Sequence, residues 1–193
     1  MFIIEDGRGT GKKAGVTDDF RLQTATVTQA TIGNASLSGN AFSTSVPFRT
    51  ITTTGGNILY VKNTESAKNL IVSKLYVGWD GGSTNNDTAL FGTLYTSVSE
   101  PSANETASAL GNLNLGSGNV ASADVYYWDE TGDGMTIASA TPANFVILGR
   151  GMSVLDINDS LVIGPGNSVS FHLRAQEQGE ASIICSFSLL DVK

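Results

Sequence analysis

Apolar residues recur along most of the chain in short runs with a period of two, which is the spacing of β-strands rather than helices. The clearest run spans 69–79. Its predicted buried face carries Ile71, Ser73, Leu75, Val77 and Trp79. Similar runs predict strands at 57–62, 89–96, 120–128, 144–148, 153–157, 161–163, 168–175 and 181–192.

The last two runs are predicted to pair as a β-hairpin. Apolar and polar residues alternate through 168–175 and again through 181–192, and the polar residues 176–180 supply a turn. Helical signals are weak throughout the chain, because no window combines a 3.6-residue period with a capping residue. Short strands separated by turn signals every ~8–12 residues predict an antiparallel β-sandwich or barrel.

Residues 1–21 differ from the rest of the chain. Four glycines lie between Gly7 and Gly15, among charges of both signs, and such a segment buries little surface. We therefore expect an extended N-terminal arm over 1–21 and a single β-sandwich domain over 22–193.

Composition and charge narrow the functional classes. The chain has 193 residues, of which 40% are hydrophobic and 15% charged, with a net charge of −7. This composition argues against a coiled coil and against disorder, and the acidic balance argues against a nucleic-acid partner. No apolar stretch approaches the ~18 residues of a membrane span. Neither a membrane partner nor a secretory signal is expected, so synthesis in a reducing cytoplasm is the simplest interpretation.

The negative charge is concentrated in the middle of the chain. Between Lys74 and Arg150 there are eight acidic residues and no basic one. The stretch includes the long polar segments 80–87 and 98–122. Loops of such length are usually functional or exposed, so we expect an acidic, solvent-facing end that could bind calcium or glycans.

The histidine and cysteine content limits the catalytic and metal sites that the chain could form. The chain has one Cys (Cys185) and one His (His172), so an internal disulfide and a Cys/His zinc site are excluded. The chain lacks a Gly-x-Ser-x-Gly nucleophile motif. We expect His172 to lie at a surface or interface and Cys185 to be a small core residue. No enzymatic activity and no cofactor are expected.

Two motifs suggest ligands. Residues 6–13 resemble a phosphate-binding loop, but Asp6 stands where the first glycine is needed and Lys13 where Ser or Thr is needed. Asp129, Thr131 and Asp133 have the spacing of calcium ligands, and they form a weak candidate metal site. The alternative is that this segment simply forms a turn.

Aromatic residues in the strands allow two interpretations. In the run Tyr126-Tyr127-Trp128, the middle residue faces away from its neighbours, so one aromatic side chain points away from one core. Packing against a second sheet or a neighbouring subunit is favoured. Exposed aromatics on a β-sandwich could also stack on sugar rings.

Three segments resemble tailed-bacteriophage virion proteins. They are the Gly-x-Gly, Lys and Ala opening that runs on to Arg21-Leu22 within residues 5–22, the strand-like segment 57–64, and the Pro165-Gly166 turn with its alternating strand in 161–173. The resemblance implies a jelly-roll or related β-sandwich, often trimeric, that binds an assembled capsid or tail. No catalytic residue is implied.

Two functional hypotheses follow from different classes. The first is a capsid decoration or cement protein of the virion, which binds the major capsid protein or another virion protein through its arm and a sheet edge. Its expected contact residues are Arg8, Lys12, Lys13, Phe20 and Arg21. The second is a tail-associated module that binds a receptor or host glycan through the loops 80–87 and 98–122 and the aromatic residues.

Overall fold

The computed structural model describes residues 4–5, 13–14, 35–81, 89–108 and 110–191. The chain divides into two compact units, Met1–Ala30 and Thr31–Lys193. In the first unit, strand β1 (Ile4–Glu5) pairs antiparallel with β2 (Lys13–Ala14), which places Glu5 opposite Lys13. Most of the predicted arm lies outside the described residues, and its extent stays a prediction.

The second unit is a sandwich of two antiparallel sheets. A short helical turn at 35–37 precedes its described strands, which are β3 (Ala41–Ile51), β4 (Gly56–Asn63), β5 (Lys68–Asp80), β6 (Leu90–Thr96), β7 (Glu105–Ala107), β8 (Gly111–Asn112), β9 (Ala123–Trp128), β10 (Thr141–Leu148), β11 (Gly151–Ile163), β12 (Ser168–Ala175) and β13 (Gly179–Asp191). The described strands form a five-stranded sheet ordered β11-β5-β13-β3-β8 and a six-stranded sheet ordered β10-β6-β12-β4-β9-β7.

Eight of these strands follow the connectivity of a jelly roll. The neighbours β3-β13-β5-β11 form one sheet and β4-β12-β6-β10 the other, and the chain changes sheet at every step except between β6 and β10. The predicted all-β sandwich with jelly-roll character is confirmed. Between β6 and β10 lies an insertion, residues 97–140, which adds β7 and β9 to the six-stranded sheet and β8 to the other.

The core lies between the two sheets and is built from alternate residues of each strand. Burial of these apolar side chains is the main favourable contribution to folding. The five-stranded sheet contributes Val46, Leu75, Val77, Trp79 and Ile183, and the six-stranded sheet contributes Leu59, Val61, Leu90, Val169, Phe171 and Leu173.

The hairpin predicted from the last two runs is wrong. β12 pairs with β4 and β6 in the six-stranded sheet, whereas β13 pairs with β3 and β5 in the other. The chain therefore crosses from one sheet to the other at residues 176–178. Alternation identifies a strand with one buried face, but it does not identify the neighbour that supplies the backbone hydrogen bonds.

The predicted core position of Ile71 in β5 is also wrong, because a bulge changes the alternation at Ser73. Ser73 has no opposite residue on β13, because Lys74 pairs with Ser186 and Val72 with Phe187. This β-bulge shifts the alternation by one residue, so Leu70 and Val72 are buried and Ile71 is partly exposed. Ser73 and the odd-numbered residues that follow it are buried as predicted.

Strand β3 was missed by the sequence pattern. It is rich in Ser and Thr and contains Pro47, which has no N–H to donate to a sheet ladder. The structure places Pro47 and Phe48 at a register shift, where Val46 pairs with Ile183 and Arg49 with Ala181. The extra residue in β3 accommodates the proline without breaking the strand.

Candidate functional site

The insertion covers part of the outer face of the six-stranded sheet, around Ser168 of β12. Its segments 98–104 and 135–139, called the cover from here on, pair with each other through backbone hydrogen bonds. Ser102 N–H donates to Thr136 O at 3.1 Å, and Thr136 N–H donates to Ala103 O at 3.1 Å. The Ser168 hydroxyl donates to Val98 O at 2.6 Å, which ties the cover to the sheet. Ser168 and Ser170 are therefore buried, although they alternate with the core residues of β12.

Close contacts between backbone atoms hold the insertion against β4, next to the cover segment 135–139. A Cβ at Gly56 would lie 1.8 Å from Asp133 O, and Gly134 adopts a φ of +136°. Met135 forms an isolated bridge with Asn57. Only glycine fits at both positions, because a side chain would push the insertion away from β4.

A row of tyrosines lies beneath and beside the cover. Tyr60 is opposite Tyr126 on β9 and opposite Ser170 on β12, and Ser170 is opposite Tyr95 on β6. The ring centroids of Tyr60 and Tyr126 are 6.0 Å apart. Burial raises the pKa of both phenols. These rings are packing partners of the sheet and cover.

Three acids of the predicted acidic stretch are paired with basic residues from outside it. Glu100 lies 3.3 Å from Lys62 Nζ, Glu130 lies 3.5 Å from Arg49, and Asp80 lies 2.8 Å from Arg150. The Tyr126 hydroxyl also donates to Glu100 at 3.5 Å. Residues 82–87 of the predicted loop 80–87 lie outside the described residues. These ion pairs reduce the negative charge that Asp80, Glu100 and Glu130 present to a ligand.

The candidate metal turn is organised by hydrogen bonds within the protein. Thr131 N–H donates to Asp129 Oδ1 at 2.8 Å, and the Trp128 indole N–H donates to Thr131 O at 2.8 Å. Glu130 and Gly132 have φ angles of 73° and 65°. Among the described residues no three His, Cys, Asp or Glu side chains come together as a metal site. Asp129, Thr131 and Asp133 stay a predicted site whose geometry is that of a turn.

His172 lies in a half-buried strip on the outer face of β6 and β12. Its ring meets Tyr95 edge-on at a centroid distance of 5.9 Å, and the Arg174 guanidinium lies 5.1 Å from the centre of the Phe91 ring. Burial, and secondarily the Arg174 charge, lowers the pKa of His172 below 6.5. The strip presents aromatic and cationic groups together.

The side of the sandwich formed by the five-stranded sheet is different in character. Phe48, Met152, Val154 and Val162 are exposed on β3 and β11. Four more exposed aliphatic residues lie on two segments beside β3 and β8, namely Leu37, Leu113, Leu115 and Val120. Ile147 is the one large apolar residue described as exposed on a strand of the six-stranded sheet.

The alternating pattern of the sequence does not identify these exposed apolar residues. In the sequence, an apolar residue that a strand exposes cannot be distinguished from an apolar residue that a strand buries. The available signal was the presence of Leu110, Leu113 and Leu115 in a stretch rich in Gly, Asn and Ser and without charge.

The remaining predicted residues are placed only in part. Arg8, Lys12, Phe20 and Arg21 lie outside the described residues, and Lys13 is described as a partner of Glu5 in the β1–β2 pair. Cys185 occupies a position in β13 opposite Leu75 and Thr44. Within the described part of the chain, no helix has the length and apolar character that a membrane crossing requires.

Comparison with known proteins adds no family. No protein-family model matches the chain, and no curated protein matches it with significant similarity.

Proposed function

We propose that this protein is a structural virion protein, a capsid decoration or cement protein that binds the assembled head of a bacteriophage. It would be made in the cytoplasm of the host bacterium, would function in the virion and would catalyse no reaction. Its partner is the major capsid protein or another protein of the shell.

The observation that carries this proposal is the set of apolar side chains that stay exposed on the face of the five-stranded sheet, among the described residues. Met152 and Val154 on β11 lie two residues apart, so they point to the same side, and Val154 is opposite Tyr76. The inner face of β5 carries Leu75 and Val77, so Val154 and Tyr76 lie on the outer face. Exposed apolar patches of this kind mark protein-interaction surfaces.

The edge strand β11 is poorly suited to strand addition, which favours docking through the face of the sheet. β11 is one of the two edge strands of the described sheet, and its register with β5 is irregular between Asp156 and Leu161. The intervening sequence Ile157-Asn158-Asp159-Ser160 is largely polar. Bulges and charges are the devices that prevent strand-to-strand addition at a sheet edge. A broad protein surface such as a capsid shell is the partner that an open sheet face fits.

Two further arguments support the proposal. The jelly roll recurs in viral capsid proteins, although it also occurs in lectins, so the fold supports the proposal by analogy. The predicted arm would add contacts through Arg8, Lys12, Lys13, Phe20 and Arg21. An extended segment that orders on binding loses conformational entropy, and the contact area must offset that loss.

Co-sedimentation with expanded, undecorated capsids tests the proposal. We expect saturable binding by the full chain, weaker binding by the double variant Met152→Ser/Val154→Ser, and weaker binding when residues 1–21 are deleted. Ile147→Ser, an exposed residue on the other sheet, is the matched control and should bind as the unchanged chain does. Absence of binding by the full chain would overturn the proposal.

The alternative function is a tail-associated module that binds a receptor or host glycan. The strip of Phe91, Tyr95, His172 and Arg174 favours it, because aromatic rings stack on sugars and a guanidinium binds carboxylate-bearing ones. A glycan array with the unchanged chain and Phe91→Ala tests this function. Binding that is lost in the variant would support it, and no binding to any glycan would eliminate it.

A further inference from the structure

An uncharged platform stands beside the edge of the five-stranded sheet, built from residues 35–40 and 110–120. Three asparagine side chains hold its two segments together. Asn112 Nδ2 donates to Gly39 O at 2.9 Å, Asn114 Nδ2 to Leu37 O at 3.3 Å, and Asn119 Nδ2 to Ser38 O at 3.3 Å. Each amide therefore crosses from one segment to the other.

The carbonyl oxygens of the same amides organise the second segment. Asn112 Oδ1 accepts from Asn114 N–H at 2.8 Å, and Asn114 Oδ1 accepts from Gly116 N–H at 3.1 Å. Leu113 N–H donates to Ala41 O at 2.9 Å, which attaches the segment to β3. The polar groups of this framework are thus engaged within the chain, and they offer little to a sugar or another hydrogen-bonding ligand.

The framework presents aliphatic side chains to solvent. Leu115 is 98% exposed, Val120 85%, Leu37 74% and Leu113 42%. These residues lie on the two segments that the asparagines join, so they occupy one region of the surface. Because the backbone beneath them is already hydrogen bonded, little ordering entropy would be lost when a partner covers them.

The absence of charged residues on the platform indicates which partner fits it. The sequence has no charged residue between Arg21 and Arg49 and none between Glu105 and Asp124, in a chain whose net charge is −7. A nucleic acid or a charged protein surface would find no counter-charge on the platform. Two copies of an acidic chain repel each other over most of their surfaces, but their platforms can meet without bringing like charges together.

We infer that the platform is the contact between copies of this chain in a homo-oligomer. Leu37, Leu115 and Val120 of each copy pack against the platform of the next copy, in a closed symmetric assembly. This contact is separate from the sheet face assigned above to the capsid shell. It holds or fails whether or not the protein binds a capsid.

Sedimentation equilibrium of the full chain over a wide concentration series tests this inference. We expect an assembly heavier than the 20.1 kDa monomer. The double variant Leu115→Asn/Val120→Asn should shift the equilibrium to the monomer. Leu37→Asn, on the other segment, should weaken assembly about tenfold or more, as expected for loss of a buried aliphatic contact.

The matched control is Met152→Asn/Val154→Asn, which removes exposed apolar side chains from β11 and should assemble as the unchanged chain does. Far-UV circular dichroism should be the same for all variants, because every changed residue is exposed in the single chain and none is needed for its fold. A monomeric unchanged chain would overturn the inference. Assembly that survives the platform changes, or is lost equally in the control, would also overturn it.

Discussion

The outer faces of the two sheets differ in how much of each is covered by the rest of the chain. Part of the outer face of the six-stranded sheet lies under the cover, so Tyr60, Ser168 and Ser170 are buried there and form hydrogen bonds or ring contacts. On the outer face of the five-stranded sheet, Met152 and Val154 stay exposed. The insertion therefore covers part of one face from within the chain, whereas apolar side chains stay exposed on the other face.

The residues on the two faces differ in the way this division requires. Polar and aromatic groups stand where the cover can engage them, because a buried polar group destabilises the fold unless it is hydrogen bonded. Aliphatic groups on the open face need no specific partner atom, and any apolar protein surface can cover them. Burial of these aliphatic groups would contribute free energy only on association with the proposed partner.

The largest effect is expected from forcing the cover away from its sheet. Gly56→Ala would place a Cβ 1.8 Å from Asp133 O and 2.6 Å from Gly134 Cα, and both neighbours are backbone atoms. We expect a loss of about 3 kcal/mol in the free energy of unfolding, measured by denaturant titration. Gly118→Ala is the control, since a Cβ there meets nothing within 4 Å. Equal stability of the two variants would contradict the tight contact.

A smaller loss is expected when one hydrogen bond between cover and sheet is removed. Ser168→Ala leaves the buried Val98 carbonyl without its hydroxyl donor and should reduce the free energy of unfolding by about 1–3 kcal/mol. Ser45→Ala, at an exposed position on β3 of the open sheet, should change it by less than about 0.5 kcal/mol. If both serines respond alike, the cover does not protect its face as the structure indicates.

His172 reports on the same side of the sandwich through its pKa. Burial and the Arg174 charge lower the pKa below 6.5, so the folded state favours the neutral imidazole. The stability that this preference contributes is complete above pH 6.5 and is lost as pH falls through the folded-state pKa. An NMR titration of the single histidine should give a midpoint below 6.5.

The Arg174 contribution can be separated by substitution. Arg174→Gln should raise the midpoint of His172, whereas Arg174→Lys keeps the positive charge and should leave it low. A midpoint at or above 6.5 in the unchanged chain would be inconsistent with the half-buried position of the ring.

The smallest effect on stability is expected on the open face. Met152→Ser/Val154→Ser removes side chains that are already exposed, so the free energy of unfolding should change by no more than about 0.5 kcal/mol per residue. Binding of a hydrophobic dye should fall, because less apolar surface is available. A large loss of stability would indicate that these side chains pack within the chain.

Much of the strand content could be predicted because alternation is a local property. β5 and β12 were predicted within one residue of their bounds, since each has one buried face along its length. The pairing of β12 and β13 could not be predicted, because their neighbours β3 to β6 lie about a hundred residues earlier in the chain. The bulge at Ser73 depends on the same distant pairing.

Candidate sites were harder to predict than strands. The spacing of Asp129, Thr131 and Asp133 is compatible with both a metal site and a turn, and the choice depends on where Trp128 and the backbone donors lie. The acidic stretch is visible in the sequence, yet its pairing with Arg49, Lys62 and Arg150 depends on tertiary contacts.

By itself the sequence determined the all-β class, the position of most strands, and the location of acidic and uncharged stretches, because these follow from residue type and local spacing. Only the tertiary structure decided the jelly-roll order, the covered and open faces, and the platform. Asn63 illustrates the difference. It reads as a turn residue, but it is buried and donates to Lys68 O and Ile163 O, the latter a hundred residues away. Burial and hydrogen bonding at long sequence separation are set by the packing of whole sheets, which no local pattern encodes.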